Sequence, residues 1–255
     1  MQIKDSTFLV TGACSGLGLA TTEHLLSQGA NVIASDLNTK TEGINSLKNK
    51  YPSSQLKIAK LDVTNKEDIT SLLASSHLEF GKIGGVVNCA GILTAGLLKH
   101  KKPKYEMTGD KLMLTLKVNV LGSFLVSQAF TKLAIQHKYE SGVIINVASV
   151  AGEDGQRGQV AYSASKGAIM GMTLPMAREL GKYNLRVVAI MPGLFKTKMS
   201  HLMPPKVAKT ILKNSALGRF GTPKEFALFV EAIIRNGYLT GVNLRLDGGT
   251  KLPML

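Results

Sequence analysis

The chain has 255 residues, of which 44% are hydrophobic, enough for one large α/β domain or two small ones. Its 26 glycines are spread along the chain, no internal repeat shows itself, and no uninterrupted apolar run of about 18 residues is present to span a bilayer, so a soluble protein is expected. A formal net charge of +14 suits nucleic acid, an anionic membrane or a phosphorylated substrate as partner, and equally a solvated surface, so charge alone names none of them.

The first six residues pass directly into the apolar stretch 7–10, which leaves no room for a signal peptide or a cleavable presequence. After the strand expected at 8–10 comes a turn with Gly12, Gly16 and Gly18, followed by a helical run over 19–28. Glycines there let the backbone approach a pyrophosphate, and the free N–H groups of the helix start favour its charge. Cys14 in this turn is either a small filler or a redox-sensitive thiol, and with Cys89 it provides neither a disulfide framework nor a metal quartet. A second strand over 31–34 leads to Asp36, eighteen positions beyond Gly18. A carboxylate there accepts from the adenosine ribose hydroxyls and repels a 2′-phosphate, which favours NAD over NADP. The alternative for Asp36 is a loop carboxylate or helix cap, and the nearest cation along the chain is Lys40.

Further apolar runs at 56–59, 85–88, 142–146, 186–190 and 242–246 bring the count to seven, separated by segments of helical period. The expected fold is therefore α/β, a single Rossmann-type domain over 1–255 whose doubly wound parallel sheet carries helices on both faces. Its dinucleotide-binding half covers about 1–150 and its catalytic and substrate half about 151–255. Ligands in such sheets lie at the carboxyl ends of the strands, where strand order reverses. Lysines are densest at 99–104 and across Lys196, Lys198, Lys206, Lys209 and Lys213. His24, His77, His100, His137 and His201 are scattered, so no metal is expected.

Tyr162 and Lys166 stand four residues apart, one turn along the same helix face. An ammonium about 4 Å from a phenol at an effective dielectric of ~20 favours the phenolate by roughly 4 kcal/mol, enough to bring it toward working pH. An ordinary helix with an outward lysine shows the same spacing.

With these motifs in place, the sequence resembles the short-chain dehydrogenase/reductase family from about residue 7 to residue 249. The resemblance assigns the glycine turn with Gly12, Ser15, Gly16, Leu17 and Gly18 to the cofactor. Asp36, Asp62 and Val63 follow on the adenosine side, then Asn88, Ala90 and Gly91, and Pro192, Gly193 and Thr197 near the nicotinamide. It implies a catalytic set of Asn119, Ser149, Tyr162 and Lys166, with Ser149, Gln156 and Tyr162 facing the substrate. Tyr162 then exchanges the proton, Ser149 holds the substrate oxygen, Lys166 also holds the nicotinamide ribose, and Asn119 anchors a water leading to solvent. Within the family, the wording at 142–150, 161–167, 171–175, 192–195 and 245–248 is similar to the branch acting on 3-hydroxyacyl-CoA thioesters. That branch implies NAD, short or branched acyl chains, some steroid alcohols, a homotetramer and a mitochondrial matrix location, with cytoplasm the alternative. It also implies, in some animals, service in a mitochondrial RNA-processing assembly. Two departures bear on substrate choice: the connection 131–141 is short, and Arg157 beside Gln156 replaces a small apolar residue. The competing readings are a 3-oxoacyl-carrier-protein reductase, which the basic charge suits and Asp36 opposes, and a binding subunit whose basic face contacts RNA.

Overall fold

Alternate residues of the central strands bury themselves on opposite sides, and this alternation builds the molecule from the middle outward. The computed structural model describes residues 1–197, 200 and 205–252. The strands are β1 (Thr7–Thr11), β2 (Asn31–Asp36), β3 (Leu56–Lys60), β4 (Ile83–Asn88), β5 (Gly142–Val147), β6 (Leu185–Pro192) and β7 (Val242–Leu246). They form one parallel sheet in the order β3-β2-β1-β4-β5-β6-β7. All seven coincide with the runs expected from sequence, most being longer by a residue or two.

Phe8, Val10, Val32, Val188 and Ile190 face one core, packed by α1 (Gly16–Ser27), α2 (Glu42–Lys50) and the late helix Pro223–Arg235. Leu9, Ile33, Val86, Ile144 and Val187 face the other, packed by α3 (Lys66–Phe80), α5 (Ser123–Gln136) and α6 (Val160–Leu180). Among the described residues two more helices are α4 (Gly109–Leu116) and α7 (Pro205–Lys213), which makes Pro223–Arg235 α8.

Several helix starts are capped by side chains, and the start of α1 is not. Thr41, Asn65, Thr108 and Thr222 each accept a hydrogen bond from the first turn of the helix they precede, and at α8 Thr222 and Glu225 complete a reciprocal box. Ser15, before α1, makes no such bond, and the first turn of α1 carries no acid. Its orphan N–H groups point to the carboxyl edge of the sheet, beside the place where strand order reverses between β1 and β4.

Between α4 and α5 the backbone makes a π-turn over Lys117–Gly122, so the three segments form one helix over Gly109–Gln136. By length and composition alone that helix could cross a membrane, but a helix packed into a folded domain meets the same test, so it gives no strong sign of a span and the expectation of none is not overturned. Individual polar residues interrupt the apolar run in sequence, whereas continuity of the helix is a property of the backbone. In this fold α4 packs on α6 and α5 packs on α3 and β4, while Met113 (62% exposed), Leu114, Leu121 and Phe124 face outward.

Candidate active site

A cleft of about 410 Å³ opens at the carboxyl edge, walled by the loops that follow the strands from β1 to β6. Its first wall is the glycine turn. Gly12 has φ +62° and an added Cβ would stand 2.8 Å from the Ala90 nitrogen, while a Cβ at Gly18 would collide with the Gly12 carbonyl. Neither position tolerates a side chain, and together they press the turn against the loop after β4. The uncapped start of α1, with Ser15, Gly16 and Leu17 on the cleft wall, is therefore suited to phosphate oxygens. Across it, Thr197 Cγ2 lies 3.4 Å from where a Gly16 Cβ would be, so the loop after β6 reaches back to the glycine turn.

Asp36 ends β2 on the cleft wall. Its Oδ2 accepts from the Cys14 N–H at 3.1 Å and its Oδ1 from the Asn38 N–H at 3.2 Å, so the carboxylate also fixes the glycine turn. Leu37 beside it is 60% exposed. Chain distance pointed to Lys40 as the nearest cation, but the parallel register places Lys60 of β3 opposite Asp36, a neighbour that sequence reading missed. Asp62 is held below the usual carboxylate range by the Thr64 N–H and hydroxyl, both on Oδ1 at 2.8 Å. Val63, Ala90, Gly91, Pro192 and Gly193 also line the cleft, and the Ala90 N–H donates to Thr11 Oγ1 at 3.1 Å. Asn88 does not line it. Its Nδ2 donates to Asn146 Oδ1 at 2.8 Å and Ser127 Oγ at 3.1 Å, making it a buried strut among β4, β5 and α5 rather than a cofactor contact.

At the other end, Ser149 follows β5, and its Oγ accepts from the Ala151 N–H at 3.1 Å, which leaves the hydroxyl proton for Tyr162. Burial pushes the Tyr162 phenol above its ordinary value, and the Ser149 hydrogen bond works against that. The expected depression by Lys166 is not what the site contains. Lys166 Nζ lies 5.6 Å from the centre of the Tyr162 ring and donates to the Val147 carbonyl at 2.7 Å, and burial lowers its own pKa to about 8. Spacing along the helix set the two groups on one face, but the strand carbonyl captured the ammonium.

Asn119 sits in the π-turn, one residue out of α-helical phase, and its amide is fully engaged. Oδ1 accepts from the Ile92 N–H at 2.8 Å, and Nδ2 donates to the Ile92 carbonyl and to Ser165 Oγ, both at 2.9 Å. Ser165 Oγ in turn donates to the Tyr162 carbonyl at 2.7 Å. Asn119 is thus a positioning residue that braces the loop after β4 against the helix of Tyr162. Ser165 was not foreseen, since a serine inside an amphipathic helix carries no signal of its own. Gln156 lines the cleft with its Nε2 buried and without a protein partner, and Arg157 beside it is exposed. The Cys14 thiol is pushed up to about 12, first by burial and then by Asp36, so it is a filler of the turn rather than a reactive thiol. Lys198 and His201 lie outside the described residues.

A buried ammonium gives a pH signature. Below about 8 Lys166 is protonated in both folded and unfolded chains; between about 8 and 10.5 the unfolded chain holds the proton and the folded one does not. Stability relative to Lys166→Met must therefore rise with pH across that window, by about 3 kcal/mol in total. Denaturant unfolding of both proteins from neutral pH to pH ~10 checks this, and a constant difference would show that the ammonium is not desolvated.

Residues 6–207 match the short chain dehydrogenase family. The 3-hydroxyacyl-CoA dehydrogenase type-2 of Homo sapiens is 40% identical over 257 residues, covering 98% of this chain and 97% of that protein. The 3-oxoacyl-[acyl-carrier-protein] reductase FabG of Thermotoga maritima is 37% identical, covering 98% and 99%. The crystal structure of gox2181 superposes with a TM-score of 0.86 at 26% identity, covering 96% of this chain and 95% of that one. With its glycine turn, its Ser149, Tyr162 and Lys166 cluster and its match over most of its length, the chain belongs to the short-chain dehydrogenase family and is an oxidoreductase.

Proposed function

We propose that the protein reversibly oxidises the 3-hydroxyl of short 3-hydroxyacyl-CoA thioesters with NAD. The observation that carries this reading is the Ser149 and Tyr162 pair opening onto a cleft lined by Leu93, Leu194 and Phe195, with a lysine-rich loop next in the chain. Relatives named 3-hydroxyacyl-CoA dehydrogenase type-2 at 38–40% identity support it. When bound, the nicotinamide supplies the hydride acceptor or donor. The α1 start, Asp36 and Asp62 are suited to its phosphates, ribose and adenine. Ser149 fixes the substrate oxygen by hydrogen bonding, and Tyr162 Oη exchanges the proton with it. Because burial holds Tyr162 in its neutral form at working pH, the phenol is ready to donate in the reductive direction, and oxidation needs it deprotonated. Lys166 and Asn119 keep Tyr162 and the loop after β4 in place.

Cofactor choice follows from Asp36. NAD(H) is expected to be preferred, and Asp36→Ala combined with Leu37→Arg to move preference toward NADP(H), through removal of like-charge repulsion and addition of a guanidinium. Comparable kcat/KM with both cofactors in the parent would refute this. The reductase reading draws on the FabG likeness and on Lys60 opposite Asp36, and preference of the parent for NADPH with a 3-oxoacyl carrier protein would establish it instead.

The rim supports an acyl-CoA substrate. All four lysines of 99–104 are exposed, but Lys99 is paired with Glu106 at 3.0 Å, whereas Lys101, Lys102 and Lys104 have no ion-pair partner among the described residues. Their loop is tied near Gln156 by the Gly96 N–H, which donates to the Gly158 carbonyl at 2.9 Å. A CoA thioester carries several negative charges, so these lysines raise its encounter rate in a salt-dependent way. Changing Lys101, Lys102 and Lys104 to Gln should raise KM for the acyl-CoA several-fold and flatten its rise with salt, while Tyr162→Phe should abolish turnover with NADH binding retained. Unaltered acyl-CoA kinetics with lost, salt-sensitive RNA retention would favour an assembly surface.

The outward apolar residues of α4 and α5, with Val160 and Leu174 of α6, support a homotetramer paired through these helices. Light scattering at micromolar concentration should return four chain masses; a monomeric mass would count against this.

A further inference from the structure

Outside the catalytic cluster, the densest group of charges centres on Arg245 near the end of β7. Its Nη1 donates to Glu153 Oε2 at 2.5 Å, its Nε to Asp247 Oδ2 at 2.9 Å, and its Nη2 to Asp154 Oδ2 at 3.0 Å and the Thr250 carbonyl at 2.9 Å. The Asp154 and Asp247 side chains are only 14% and 11% exposed. Arg245 is 27% and Glu153 44% exposed, so the cluster is only partly shielded, and its strength comes from one guanidinium meeting three carboxylates in a network rather than from deep burial.

The anchored segments come from different parts of the site. Glu153 and Asp154 follow the short turn that Ser149 begins. Asp247 lies against the loop after β6, where a Gly193 Cβ would stand 2.7 Å from Asp247 Cβ. Beyond β7, Lys251 Nζ donates to Asp154 Oδ1 at 3.2 Å, and the Lys251 N–H donates to the Asn214 carbonyl at 3.2 Å. One guanidinium thus clasps the catalytic loop to the segment after β7.

That clasp delivers Leu252 to the cleft. Leu252 lines it and packs on the small cluster of Ala148, Val150, Ile169 and Met191, which flanks Ser149. The adenosine side is elsewhere, since β2, which carries Asp36, and β6, beside β7, are four strand spacings apart, about 19 Å.

We propose that Leu252 is a specificity-determining wall of the substrate end of the cleft, and that Arg245 is the positioning residue that holds it there. The identity of the substrate rests on the acyl-CoA reading above; the wall itself does not. An apolar wall sets how long a chain the cleft accepts, and Leu252→Ala removes three carbons from it. Differences of a methylene in such a pocket change kcat/KM by about tenfold or more.

The test is reduction of a series of 3-oxoacyl-CoAs of four to ten carbons with NADH. Leu252→Ala should raise the ratio of kcat/KM for eight carbons over four by about tenfold, and Leu252→Phe should lower it. Arg245→Gln should shift the ratio in the same direction as Leu252→Ala, mainly through KM, with NADH affinity retained. If that variant does not fold, Asp154→Asn loosens the clasp more gently. Unchanged ratios in both Leu252 variants would overturn the wall. A shifted ratio in Leu252→Ala with none in Arg245→Gln or Asp154→Asn would overturn the positioning role. If the parent reduces no acyl-CoA, the acyl-CoA reading fails, and the same ratios measured on simple 2-alkanones of these lengths still decide the role of Leu252.

Discussion

Where the sheet reverses its order of growth, the backbone of Gly12 runs so near that of Ala90 that a Cβ would sit 2.8 Å from the Ala90 nitrogen. This contact joins the loop after β1 to the loop after β4. The uncapped end of α1 then faces a cleft that the loops after β5 and β6 can complete. At Gly91, one residue later, an added Cβ would stand 3.2 Å from Asn119 Oδ1 and 3.7 Å from Lys166 Nζ, so the segment that meets the glycine turn also borders the cluster around Tyr162. A side chain at Gly12 would separate the two loops and with them the two halves of the site, whereas one at Gly18 would spread the glycine turn itself.

Three buried or half-buried cations show how differently a fold can accommodate charge. Arg186 donates to the carbonyls of Ile233, Ile234 and Leu239 and ends α8, with burial lowering its pKa. Arg245 is offset by three carboxylates, which raise its pKa against the effect of burial. Lys166 has only a strand carbonyl and a ring face, and its pKa falls to about 8. The first two arrangements lock segments together. The third leaves a cation poised to lose its proton near working pH, which is a property of active sites more than of scaffolds.

Much of the fold was legible because each strand is an apolar run bounded by turn residues, and both faces of a parallel sheet demand such runs. The glycine turn was legible for a related reason: glycine is needed where the backbone leaves the region open to other residues, so its spacing records geometry directly. Asn119 and Asn88 were named from resemblance, yet residue type could not say what they touch. One braces a loop through Ile92 and Ser165, and the other is a strut between strands. The continuous helix from Gly109 to Gln136 was hidden because isolated polar residues interrupt its hydropathy while its backbone runs on through a π-turn.

Legible along the chain are the strand runs, the turn that can meet a pyrophosphate, the acid that follows the second strand, and a tyrosine and lysine one helical turn apart. These are local properties, set by residue type and by spacings of a few positions. Packing between elements set the rest: Lys166 donates to the Val147 carbonyl, Lys60 stands opposite Asp36, and Arg245 holds the segment that carries Leu252 to the cleft. Those contacts reach well beyond local spacing, Arg245 meeting Glu153 across 92 residues and Lys166 meeting Val147 across 19. Which partner a side chain meets there depends on strand register and helix packing, which no local pattern encodes.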